Sequence, residues 1–130
     1  MLKPVILLVD DEVDLLQVTA EAVRRALPGY TVVAARSLEE AEEVVVDLEA
    51  SAQPIALAVV DHVLGGTTGL VLLDAIRQHF PEARLMLFTG RATPEVEDRA
   101  RERGVRVMWK PIRLRHLLGE MSQMLGSSAV

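Results

Sequence analysis

Five apolar residues, Val5-Ile6-Leu7-Leu8-Val9, run without interruption into three carboxylates, Asp10-Asp11-Glu12. A continuous Val/Ile/Leu run of this length reads as a strand buried on both faces, which restricts the chain to folds whose sheet is covered on two sides. The pattern returns at Ile55-Ala56-Leu57-Ala58-Val59-Val60-Asp61, and shorter versions appear at Tyr30–Ala35, Arg84–Gly90 and Val105–Trp109.

Between these runs the apolar period changes from two to three and four. Val13, Leu16, Ala20, Val23 and Leu27 predict one face of a helix that Pro28-Gly29 stops. Ser37 as N-cap with Glu40 three residues on forms a capping box, and Leu38, Ala41, Val45 and Leu48 give the stripe of the helix it opens. Ser51–Pro54 reads as a linker and Gly65–Gly69 as a glycine-rich loop. Leu70, Leu73, Ile76 and Phe80 mark a third helix, stopped by Pro81. Thr93-Pro94 supply N-cap and first turn of a fourth, thinly apolar helix, in which Val96 and Ala100 sit among seven charged residues before Gly104. Leu114, Leu117, Leu118, Met121 and Leu125 mark a fifth. The expected fold is α/β: a five-stranded doubly wound parallel sheet with helices on both faces, in one domain.

Ligands of such sheets bind at the carboxyl ends of the strands, near the switch in strand order. Those ends carry Asp10-Asp11-Glu12, Asp61, Thr89 and Lys110, whereas the second strand ends in Ala34-Ala35. Carboxylates gathered from separate strands repel, so they either point into solvent or hold a cation. A hard divalent cation such as Mg²⁺ suits oxygen ligands. With a lysine, a threonine hydroxyl and backbone amides beside it, one carboxylate can act as nucleophile toward a phosphoryl group. Asp61 is the best candidate, because it ends the central apolar run with no adjacent acid.

Bulk properties narrow the function. Net charge is −5, which argues against a nucleic-acid surface. There is no cysteine, and the three histidines (His62, His79, His116) lack ligand spacing, which argues against zinc. The Leu2–Val9 run is too short to span a bilayer and no signal peptide precedes it, so a cytoplasmic domain is expected.

Taken in order, the chain resembles the receiver domain of two-component response regulators. The matching residues are Asp10-Asp11, Asp61, Gly69-Leu70 eight and nine residues later, Thr89, and Lys110-Pro111. The resemblance implies a flavodoxin-like (βα)5 fold with strand order 2-1-3-4-5. It implies that residues 1–125 form the receiver domain, with 126–130 a flexible tail. It implies a signalling switch, not an enzyme, in which Asp61 accepts a phosphoryl group from a histidine kinase or phosphotransfer protein. Mg²⁺ would be bound by Asp11 and Asp61 directly, by Asp10 through water and by the Val63 carbonyl. Lys110 and Thr89 would contact the phosphoryl group, and Thr89 would shift the face made by the fourth helix, fifth strand and fifth helix. That face would serve a homodimer or an effector.

The chain departs from the family pattern at several positions. Val107 stands where an aromatic switch residue is usual, Gly65 where a proline is usual, and Gly90 where alanine is common. Val63 and Arg91 occupy positions that tune phosphate lifetime, and an apolar Val63 that excludes the hydrolytic water gives a long-lived phosphoryl group. His62 is expected at the surface or core edge, Trp109 in packing beside Lys110, and Glu12 as a helix-start acid. A phosphate-independent adaptor of the same fold is the alternative. A Mg²⁺-dependent aspartyl-phosphate phosphohydrolase is less well supported, since Val63 replaces the second acid such enzymes use. A free-standing regulator and a receiver belonging to a hybrid kinase or longer regulator fit the sequence equally.

Overall fold

The computed structural model describes residues 2–64 and 67–126, and for Val63, Leu64, Thr67 and Thr68 the backbone only. In chain order the elements are β1 (Val5–Val9), α1 (Val13–Ala26), β2 (Thr31–Ala35), α2 (Leu38–Ala50), β3 (Ile55–Val60), β4 (Val63–Leu64), β5 (Thr67–Thr68), α3 (Gly69–His79), β6 (Arg84–Thr89), α4 (Pro94–Glu102), β7 (Arg106–Trp109) and α5 (Leu114–Met124). The order β2-β1-β3-β6-β7 makes one parallel five-stranded sheet, in which β3 is central. The alternating pattern predicts this doubly covered parallel sheet, and its strand order is the flavodoxin-like one that the resemblance implies. One expectation is corrected. The glycine-rich segment is not all loop: β4 and β5 pair antiparallel, Val63 with Thr68 and Leu64 with Thr67, and Gly69 already begins α3. Gly65 and Gly66 themselves lie outside the described residues.

β1 shows why the unbroken apolar run is needed. All five of its residues are buried, and alternate side chains enter different cores. Val5, Leu7 and Val9 join one cluster with the buried stripes of α2 and α3, while Ile6 and Leu8 join the other with α1 and α5. In α1 the stripe is displaced from the expectation: Val13 is exposed, and Thr19 is buried with Leu16, Ala20 and Val23. Val13 is the first helical residue, at the exposed start of the stripe. α4 buries Ala100 alone, as its sparse apolar pattern implies. No helix among the described residues is long and apolar enough to cross a membrane.

Candidate phosphoacceptor site

The sheet register brings the polar residues to one edge. Each lies one position beyond, or at, the end of its strand, and backbone bonds fix it there. Asp10 N–H donates to Ala35 O of β2, Asp61 N–H to Val9 O of β1, and Lys110 N–H to Thr89 O of β6. The connections from β1 and β3 leave toward opposite faces, which opens a crevice between them. Asp10 is 6 % exposed, Asp61 2 % and Thr89 0 %, whereas Asp11 is exposed. One carboxylate oxygen from each of Asp10, Asp11 and Asp61 lies within 4.8 Å of the others.

Lys110 sits among these acids. Its Nζ is 2.7 Å from Asp10 Oδ2, 3.1 Å from Glu12 Oε1 and 3.5 Å from Asp61 Oδ2. It also lies 5.2 Å from the centroid of the Phe88 ring, in reach of a cation–π contact. Burial disfavours the ammonium, but the hydrogen bonds to Asp10 and Glu12 outweigh it, so the Lys110 pKa lies above the ordinary lysine value. Burial is also the largest influence on Asp10. It outweighs the bonds from Lys110 and the Glu12 amide and pushes the Asp10 carboxyl above the usual carboxylate range, with Asp61 adding to the rise. The two directions are compatible, because Lys110 gains bonds to both Asp10 and Glu12, whereas Asp10 has only a share of one ammonium to set against its burial.

Arg91 approaches from the loop after β6, its guanidinium 4.0 Å from Asp61 Oδ2. The Thr89 Oγ1 accepts from the Arg91 N–H at 3.1 Å, a bond that uses an oxygen lone pair and not the hydroxyl proton. Four carboxylates (Asp10, Asp11, Glu12, Asp61) thus face two cations (Lys110, Arg91), an excess of two negative charges. That excess and the all-oxygen donor set fit a hard divalent cation such as Mg²⁺.

Gly69 closes the site from behind. A Cβ there would lie 2.1 Å from Asp61 O and 2.9 Å from Val60 Cγ1, so only glycine lets the start of α3 pass this close. Its N–H donates to His62 O, tying α3 to the segment after Asp61. Gly90 is different: a Cβ would meet Lys110 Cβ and O at 3.6 Å, an ordinary contact. No steric demand among these contacts therefore requires glycine at position 90.

The structure brings Asp10, Asp11, Asp61, Thr89 and Lys110 to one edge. Val63 lies in β4 with its side chain outside the described residues. Two placements, those of Glu12 and Trp109, differ from the sequence reading, and a third, that of His62, is narrowed. Glu12, set aside as a helix-start acid, holds Lys110. Trp109 is 41 % exposed and so contributes little to packing, because β7 is the edge strand and its last residue has no helix over it. His62 is buried, at 8 % exposure, which makes it a core-edge and not a surface residue. Val107 packs half-buried against the core on the α2–α4 side. The Glu12 contact had no sequence signal, since it depends on the turn in which Asp10 Oδ1 accepts the Glu12 N–H at 2.9 Å.

Comparison with known proteins follows the same lines. The family model described as response regulator receiver domain matches residues 6–122. A CheY-like response regulator receiver domain protein from Methanospirillum hungatei JF-1 is 27 % identical, with a TM-score of 0.80 over 95 % of this chain and 94 % of that one. The non-phosphorylated HemR receiver domain from Leptospira biflexa is 25 % identical, with a TM-score of 0.81 over 97 % of each chain. The receiver domain from the hybrid histidine kinase CckA is 29 % identical, with a TM-score of 0.71 over 93 % of this chain and 98 % of that one. No curated protein matches the chain.

Proposed function

The chain belongs to the response regulator receiver domain family of two-component signalling, and from that premise we propose that it is a phosphoacceptor switch centred on Asp61. The observation that carries this reading is the Lys110 ammonium 3.5 Å from the buried Asp61 carboxylate, inside a ring of further acids. An Asp61 oxygen attacks the phosphorus of a phosphohistidine on a histidine kinase or phosphotransfer protein. The P–O bond forms as the P–N bond breaks, and the imidazole leaves with the bonding pair. Lys110 holds its positive charge against the transferring oxygens, and the Thr89 hydroxyl donates to one of them once the aspartyl phosphate is formed. Asp10, Asp11 and Asp61 with the Val63 carbonyl would hold Mg²⁺, which when bound neutralises the charge that builds on the phosphoryl oxygens.

We further propose that residues 1–125 act as the receiver unit and that α4, β7 and α5 form the responding face for an effector or a second copy. Burial favours this: α4 buries only Ala100, so little apolar packing holds it. With Val107 in place of an aromatic residue, the signal passes through Thr89 and the loop to Arg91. The test is to incubate the protein with Mg²⁺ and a small phosphodonor and measure its intact mass. A single phosphoryl adduct, absent in Asp61→Asn and in excess EDTA, is expected. No adduct supports the phosphate-independent adaptor, and repeated turnover without accumulation supports a phosphohydrolase.

A further inference from the structure

We propose that the cleft between α2 and α3 docks a basic amphipathic helix of a partner protein. The cleft has a volume of about 240 Å³ and shares no lining residue with the acidic site. Its floor is apolar, made by Leu38, Val45 and Leu72, with Ala75 on one wall. Val46 on α2 and Val71 on α3 flank it at 66 % and 57 % exposure. Single exposed valines are common, but two on facing helices along one apolar cleft form a continuous patch. At one end His79 of α3 meets Glu49 of α2, joining the two walls. An apolar floor between two helices can take the apolar ridge of one further helix, presented at i, i+4 and i+7.

Charge selects the occupant. α2 carries six acids (Glu39, Glu40, Glu42, Glu43, Asp47, Glu49) and no base. The rest of the chain has fourteen basic residues against thirteen acidic ones, so the whole net charge of −5 originates in this helix. Glu40 is engaged by Arg36, but Glu42 lines the cleft, and Glu39, Glu43 and Asp47 are exposed on the same helix. A second copy docking here would set two such helices against each other, and nucleic acid or an anionic membrane would be repelled likewise. A helix with lysine or arginine on both sides of its apolar ridge meets the acids and the valines together.

The inference does not depend on phosphorylation, and its test needs no phosphodonor. A displayed library of helical peptides of about five turns is selected on the whole protein and counter-selected on Val46→Lys/Val71→Lys. Both positions are exposed, and far-UV circular dichroism checks that the variant folds. Enriched peptides are expected to carry lysine or arginine flanking apolar residues spaced i, i+4, i+7. They should bind at least about tenfold more weakly to that variant and to Glu42→Lys/Glu43→Lys, lose affinity with salt, and bind Val18→Lys in α1 unchanged. Enrichment of acidic or uncharged flanks, equal binding to the cleft variants, or no enrichment over the counter-target would overturn the proposal. So would concentration-dependent dimerisation abolished by Val46→Lys/Val71→Lys, which would assign the cleft to a second copy.

Discussion

Gly69 and Gly90 both adjoin the site, and their substitutions separate packing from chemistry. In Gly69→Ala the new methyl cannot coexist with Asp61 O, so the start of α3 must move. A loss of about 1–3 kcal/mol in urea-measured stability is expected, as for other overpacked sites. Gly90→Ala meets only ordinary contacts and should change stability by no more than about 0.5 kcal/mol. Lys110 is tested by alkaline pH. Its pKa is raised in the folded state, so its contribution is complete below the ordinary lysine value and is lost as pH climbs through the higher folded value. Lys110→Met should therefore be less stable than the wild type at neutral pH, with the gap narrowing as pH rises past that window. Glu12 is more than half exposed, and Glu12→Gln should cost no more than about 1 kcal/mol.

At the scale of the element, α2 shows how far local pattern reaches. Ser37 caps it as its sequence implies, the Oγ accepting from Glu40 N–H at 3.1 Å. The reciprocal half of the box is shifted by one residue: Glu40 accepts from the backbone N–H of Arg36 at 2.8 Å and pairs with the Arg36 guanidinium. Ser37→Ala should cost about 1 kcal/mol in thermal or urea unfolding. Strand and helix identities were legible because β1 and β3 are short unbroken apolar runs, and the stripes of α2, α3 and α5 follow the helical period. Val13 and Trp109 were misjudged because each stands at the end of an element, where periodicity says nothing of what lies beyond. The β4–β5 pair was missed because two-residue strands have no period.

For the molecule as a whole, four carboxylates against two cations make the edge electrostatically incomplete. The Asp10 pKa is raised, so the folded state holds this proton more tightly than the unfolded chain does. Without a divalent cation, stability from this group grows as pH falls from neutral through that raised value and levels off below the ordinary one. Asp10→Asn should accordingly be more stable than the wild type in EDTA. Mg²⁺ should reverse the order, stabilising the wild type by about 2.7 kcal/mol at one hundred times its Kd and the variant by much less. The polar residues of the edge were legible because strand ends are easily found, and a parallel sheet brings them together. The sharing of Lys110 among Asp10, Glu12 and Asp61 was not, because it depends on side-chain reach between residues far apart in the chain. The sharpest test of the Asp61 assignment is to reduce phosphodonor-treated protein with borohydride, which converts an aspartyl phosphate to homoserine, and to map the modified residue by peptide mass spectrometry. Homoserine at position 61 is expected. Modification at Asp10 or Asp11, or none at 61 after confirmed phosphoryl uptake, would contradict it.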